Sequence, residues 1–332
     1  MGVSETSRLR KPATLRRLAL VSMLANVLIV VTGGAVRLTG SGLGCPTWPS
    51  CTEDSLTPTK EYAAHGVIEF ANRQLTFVLS AVVLATLVVA VLVRRQAKLA
   101  ALAAIGIPAQ AVLGGITVLT GLNPWTVAAH FLLSMVIIAI TFALWWQLRE
   151  DPEPVAGSAG LPAAGPSGLP AAGPAGLRTA GQAGLRAAAM VIVVLTAAVL
   201  AIGTVVTGSG PHAGDEGATN RIDFDPASVS QLHADVVLLL IGVSLGFAVL
   251  ARAAGASPRL QRAAWLLVGV ELAQGLIGFV QYFTHVPALL VGIHMLGACL
   301  VWLAALAVLA HALATPARTD PVPVKPLAGQ RR

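Results

Sequence analysis

Charge is scarce in this chain. Asp, Glu, Lys and Arg make up 11% of its 332 residues, less than half the roughly 25% of an ordinary soluble domain, and this argues against a soluble globular fold. Acidic residues are the scarcer sign, 15 against 22 Lys and Arg, for a net charge of +7. Cysteine is limited to three residues, and no cluster of thiolates or carboxylates recurs alongside the histidines, which argues against a bare zinc or copper site. What is abundant is apolar: 55% hydrophobic residues and a mean hydropathy of +0.77.

The apolar residues gather into eight runs, near 17–37, 66–93, 99–120, 125–147, 188–207, 229–251, 262–283 and 287–312. About 20 apolar residues cross a bilayer core as a helix, so the expected fold is an all-α integral membrane protein of eight transmembrane helices. The first run follows Arg8, Arg10, Lys11, Arg16 and Arg17 but is too long for a signal-peptide core and has no clear small-residue cleavage site, so it reads as retained. Eighteen of the 22 basic residues fall in the N-terminal segment 1–16 and Arg17 at its border, the connections near 94–98, 148–187 and 252–262, and the tail 313–332. The positive-inside rule makes these segments, and both termini, cytoplasmic. The inner residues then sum to +13 and all others to −6, so the basic balance is a matter of topology and gives no reason to expect nucleic acid. Residues 150–187 are rich in Ala, Gly and Pro and read as a flexible linker. They separate a four-helix half over 17–149 from another over 188–312.

The two halves repeat each other. Gln110 precedes His130 by twenty residues, and Gln274 precedes His294 by the same twenty. Thr39-Gly-Ser-Gly42 after the first span is echoed by Thr207-Gly-Ser-Gly210 after the fifth, and Pro124 and Pro287 stand before the fourth and eighth. Both halves enter from the same side, which implies two pseudo-symmetric bundles related by an axis along the membrane normal.

Ionisable groups within apolar helices are costly and functional by default. His130, His233 and His294 all fall within about two turns of the outer ends of the fourth, sixth and eighth spans, and His65 marks the outer entrance to the second. Imidazoles on neighbouring helices, with small residues such as Gly33, Gly114, Gly275 and Gly278 making room, suit axial ligation of a flat haem. The repeat implies two such sites. The competing reading is that these histidines hydrogen-bond between helices. His212, His285 and His311 read as solvated or interfacial groups. Covalent haem attachment through Cys-x-x-Cys-His is absent.

His65, Glu69, Asn72 and Arg73 share one face of the second span. Glu69 and Arg73 form either a compensating ion pair or a functional set, with Glu69 as base or anionic stabiliser and Arg73 pairing with it or with a haem propionate. Glu271, in the middle of the seventh span, faces the bundle interior or a proton route, and its partner is not evident in the sequence. Cys45 and Cys51 bracket a short loop that can close as a disulfide, structural or exchangeable. Cys299 reads as a small core residue.

Three stretches together resemble the haem A synthases: Val31-Thr-Gly-Gly-Ala-Val-Arg-Leu-Thr-Gly-Ser-Gly-Leu-Gly-Cys-Pro-Thr-Trp-Pro-Ser-Cys51, Leu113-Gly-Gly-Ile-Thr-Val-Leu-Thr120 followed by His130, and Gly203-Thr-Val-Val-Thr-Gly-Ser-Gly-Pro-His-Ala-Gly-Asp215 with the helices ending at His294. The resemblance implies a plasma-membrane oxidoreductase. It would turn the C8 methyl of haem O into a formyl group, making haem A for cytochrome oxidase. It implies a resident haem b between His233 and His294, and substrate haem O in the first half on His130, with the haem sites toward the extracytoplasmic side. Glu69 would be catalytic, and a haem O synthase and oxidase assembly factors would be partners. The family pattern Glu-x-x-His-Arg reads Glu69-Phe-Ala-Asn72-Arg73 here. The second ligand of the substrate haem is then His65, or the substrate has one protein ligand only. Two rival classes use the same residues: a non-catalytic dihaem electron-transfer cytochrome, and a transporter with His and Glu as proton relays.

Overall fold

A computed structural model describes residues 12–59, 63–149, 174–212, 214–215 and 220–314. Among the described residues there are eight helices: α1 (Pro12–Leu38), α2 (Ala63–Val93), α3 (Ala97–Leu119), α4 (Pro124–Gln147), α5 (Pro174–Ser209), α6 (Pro226–Ala253), α7 (Pro258–Phe283) and α8 (Ala288–Leu313). Each contains a segment long and apolar enough to cross a membrane, and the protein is a multi-pass membrane protein. Helices are the economical answer to this composition, because within lipid every backbone N–H and C=O must find its partner inside its own segment.

Prolines and short polar caps set the starts. Asn123, Asp225 and Ser257 accept backbone N–H bonds from Trp125, Ser228 and Leu260, each with a proline at the first helical position. At the end of α6, Gly255 takes φ +63° so that its N–H reaches the Arg252 carbonyl while the Ala256 N–H reaches Ala251. That paired closure needs a left-handed residue, which glycine supplies without a Cβ clash. All but α8 begin earlier than their apolar runs, and the largest difference lies at the linker. Helix α5 starts at Pro174, inside the 150–187 segment read as flexible, because Ala and Leu outnumber Gly after that point and continue into the span. The rest of the linker, the first eleven residues and the tail from 315 lie outside the described residues.

Each half is a ring of four antiparallel helices. In the first, α1 packs on α2 and α4, and α3 on α2 and α4; in the second, α5 packs on α6 and α8, and α7 on α6 and α8. The halves meet through α1 with α8, α4 with α5, and α4 with α8, as a two-fold relation between them requires. Val27, Val30, Met135, Ile138, Leu200, Cys299 and Trp302 fill that seam, and Trp302 donates its indole N–H to the Met135 carbonyl at 2.9 Å. Leu24, Leu28, Val78, Leu84, Ile105 and Leu266 are exposed on the outside of the rings, where a lipid-facing surface is apolar.

Candidate functional site

Three imidazoles sit at one level of the bundle, each pressed against a glycine of the preceding helix. A Cβ on Gly114 of α3 would stand 3.1 Å from Cε1 of His130; on Gly203 of α5, 3.2 Å from Cε1 of His233; on Gly278 of α7, 3.4 Å from Cε1 of His294. The fourth position of this set is Asn72 on α2, whose Nδ2 lies 3.8 Å from the corresponding point on Gly33 of α1. All four side chains hold a buried polar atom without a hydrogen-bond partner: Nδ1 of His130, His233 and His294, and Oδ1 of Asn72. Leaving such an atom unpaired costs about 1–3 kcal/mol, and four in this set mark positions where the protein leaves polar atoms unspent on itself.

The repeated glutamines explain how the rings are set. Gln110 donates to the His130 carbonyl at 3.0 Å, and Gln274 donates to the His294 carbonyl at 2.7 Å. Each ties α3 to α4, or α7 to α8, at the residue that carries the imidazole. The sequence showed the spacing but not this role. In the first half Ser134 adds a second acceptor for Gln110 at 2.6 Å. In the second, Gly297 leaves the space that Gln274 fills, since a Cβ there would overlap the Gln274 side chain.

Glu69 and Arg73 hold the loop of the first half. Cys45 and Cys51 are joined, confirming the expected disulfide. The Cys45 N–H donates to Oε2 of Glu69 at 2.6 Å, and Arg73 donates to Oε1 through Nη2 at 2.6 Å and Nε at 3.2 Å. The other Arg73 donors go to the carbonyls of Thr47, Ser50 and Cys45. All five guanidinium N–H groups are therefore committed within the protein, and the structure gives Arg73 the carboxylate partner and the loop. Glu69 is 5% exposed. Trp48 of the same loop packs on Gly115 of α3, where a Cβ would come within 2.5 Å of the indole. Gly115 adjoins the glycine behind His130, so consecutive residues of α3 carry the contacts to the carboxylate-held loop and to the imidazole.

His65 stands apart from this group: it is exposed, and its Nδ1 is 2.9 Å from the Ser41 hydroxyl. His212 is part-buried, with Nε2 on the Val286 carbonyl at 2.9 Å, while Arg37 donates to the His212 carbonyl at 2.8 Å, so this residue ties two loops of the second half to the last turn of α1. His285 is an exposed turn residue with φ +61°, and His311 meets Trp146 edge-on across the seam at the opposite end of the bundle.

Among the described residues no group of three or more His, Cys, Asp or Glu side chains converges as a metal cage. Paired imidazoles with unspent nitrogens instead suit a group that brings its own equatorial ligands. His233 and His294 supply two such imidazoles in the second half. In the first half the corresponding pair is His130 and an amide. The glycine contacts also make a test of ring placement. Gly114→Ala and Gly203→Ala each crowd an imidazole against a helix backbone, an overpacking that costs about 1–3 kcal/mol. Both variants are expected to melt earlier in detergent than Gly242→Ala, which gains the same helix propensity at a position where nothing lies within 4 Å of the added methyl.

The model of the COX15-CtaA family, described as cytochrome oxidase assembly protein, matches residues 16–214. Relatives include a protein named Heme A synthase from Lysinibacillus sphaericus (strain C3-41), 34% identical over 138 residues that cover 39% of this chain and 43% of that protein. A Heme A synthase from Bacillus pumilus (strain SAFR-032) is 31% identical over 136 residues, covering 39% and 43%. One from Listeria innocua serovar 6a (strain ATCC BAA-680 / CLIP 11262) is 30% identical over 126 residues, covering 36% and 41%. The chain thus spans less than half the length of the curated relatives it matches. The family match takes in Glu69, Asn72, Arg73, the disulfide loop and His130, and stops before His233.

Proposed function

Since the chain belongs to the COX15-CtaA family of cytochrome oxidase assembly proteins, we propose that it makes haem A, oxidising the C8 methyl of haem O to a formyl group. The observation that carries this reading is the pairing on α3 of the Glu69-held loop, through Trp48 and Gly115, with His130 through Gly114. A membrane cytochrome that only passes electrons has no need of a fixed carboxylate beside one of its imidazoles.

The first half receives haem O on His130, with Asn72 opposite. Glu69 acts there as a fixed negative charge. Its two oxygens are held by the Cys45 N–H and by Arg73, an arrangement that suits stabilising positive charge at the oxidised carbon better than carrying a proton to and fro. The second half holds a haem b between His233 and His294. A haem held there would supply one-electron chemistry, while the glycines and Gln274 set the placement of the two imidazoles. Methyl to aldehyde removes four electrons in all, as two successive two-electron steps.

By the positive-inside rule the ends carrying Arg16, Arg17, Arg94, Arg95, Arg149, Arg252, Arg259 and Arg262 face the cytoplasm, and the imidazole level faces outward in the plasma membrane. An upstream haem O synthase and oxidase assembly factors are the partners of this reading. Expression beside a haem O synthase, followed by extraction and chromatography of the haems, tests it. Haem A is the expected product. Haem O accumulating beside a haem-loaded protein makes it an electron-transfer cytochrome, and a purified protein without haem absorption leaves the transporter.

A further inference from the structure

Glu271 is a carboxyl group in the middle of a membrane-spanning helix, 3% exposed, with one hydrogen-bond donor. Ser244 of α6 donates to Oε1 at 2.8 Å, and Oε2 has no partner. The internal repeat shows that the fold does not need it. Glu271 stands three residues before Gln274, as Ile107 stands three before Gln110, and Ser244 lies eleven after His233, as Val83 lies eleven after Asn72. In the first half Val83 and Ile107 pack together with Leu79 and Ala103 as an ordinary apolar core. The equivalent neighbours in the second half, Leu240 and Leu267, are apolar as well. One carboxyl and one hydroxyl have replaced Ile and Val in an otherwise preserved cluster, in the half that carries two imidazoles and not in the half that carries one.

Burying an ionisable group in place of a hydrocarbon contact sacrifices stability, and such groups within membranes mark proton or ion pathways. The elements packed against α7 are α6 and α8. Helix α6 carries His233, Asp235 and Arg252, and the nearest of these along the helix is eight residues, about 12 Å, from Ser244. Helix α8 carries His294, Cys299 and His311. Cys299 is buried in the seam between the halves and His311 lies near the far end. Along the antiparallel α7–α8 pair Cys299 is the nearest in height, and His294, whose carbonyl Gln274 holds, lies about six residues, ~9 Å, closer to the turn between the two helices. Arg259, Arg262 and Tyr282 of α7 itself are at its two ends.

We propose that Glu271 takes up the proton that balances the electron received by the iron between His233 and His294. When an iron held there gains one electron from the alkyl group being oxidised, one proton from the aqueous phase would add to the Glu271 carboxylate, so that net charge in the low-dielectric half stays constant. The electron would then pass to an external one-electron acceptor and the proton would return to water. The carboxyl suits both states: ionised, it accepts from Ser244; protonated, Oε1 still accepts from Ser244 while Oε2 carries the hydrogen. The first half, which binds substrate in place of a resident electron carrier, keeps Ile107 and Val83.

This inference rests on the haem reading of the second half, and the experiment separates the two. The full-length protein is purified with its haem and titrated potentiometrically between pH 5 and 9, alongside Glu271→Gln and the double variant Ser244→Val with Glu271→Ile. The double variant installs the pair that the first half already packs, so its fold and haem content are expected to persist. The wild-type midpoint potential is expected to fall with pH, over part of this range by about 59 mV for each tenfold change in proton concentration, and both variants to lose that slope while keeping the haem spectrum. A wild type without pH dependence, or variants that retain the wild-type slope, overturn the proposal and leave the haem reading standing. A wild type that binds no haem overturns both.

Discussion

Replacing His294 by alanine is expected to strip the second half of its haem. The purified variant should lose the absorption of a six-coordinate haem with two imidazole ligands, while a His130→Ala variant keeps it. Loss of an outer partner of a metal ligand already costs about 10–100-fold in affinity, so loss of the ligand itself should cost more. Gln274→Leu offers the intermediate case: it frees the His294 carbonyl without touching the imidazole, and should weaken haem retention on that 10–100-fold scale. The relevant measurement is haem per protein by pyridine haemochrome after detergent washing. A His294→Ala protein that retains the full haem complement and an unaltered spectrum would remove this half of the functional reading. The expectation bears most on the part of the chain beyond the family match, where only the internal repeat and the unpaired nitrogens speak for the site.

Glu69→Gln is expected to abolish haem A formation, by the 10²–10³-fold typical of losing one electrostatic stabiliser. Structure supplies a rival explanation, because the same change leaves the Arg73 guanidinium without its counter-charge. Breaking a buried pair from one side costs about 3–5 kcal/mol, and less here, since the Arg73 side chain is 20% exposed and partly screened. A double variant tells the two apart. Glu69→Gln combined with Arg73→Met removes the unbalanced charge. If Glu69 serves only to neutralise Arg73, the double variant regains the stability lost to the unbalanced charge, though not that of the Arg73 bonds to the loop carbonyls, and haem A production returns with it. If its charge serves the reaction, stability recovers and haem A does not. Normal haem A output from either variant with haem bound sinks the catalytic role of Glu69.

The structure also alters the meaning of residues that were legible beforehand. His65, Glu69, Asn72 and Arg73 share a helix face by spacing alone, but they divide in space. His65 turns to Ser41, Asn72 to Gly33, and Glu69 with Arg73 to the disulfide loop. Periodicity places residues around one helix axis. It carries no information about which loop folds back over that face. Likewise Glu271 appeared partnerless because its donor, Ser244, is 27 residues away on another helix, and no local pattern encodes that contact.

What the sequence determined by itself is the part governed by solvent and by duplication. Eight apolar runs had to become eight helices because lipid offers the backbone no other partner, and the paired Gln-to-His spacings fixed which helices correspond between halves. The flexible reading of 150–187 did not extend as far as expected, since helix α5 begins at Pro174. The tertiary structure alone decided the contacts that make the site specific: glycines set behind three imidazoles, glutamines holding two of their carbonyls, a carboxylate committed to a loop, and a buried carboxyl in one half where the other has isoleucine. These depend on how helices distant in sequence approach one another. That approach is set by close packing of small and large side chains across the rings, a matter of three-dimensional fit that composition and spacing do not specify.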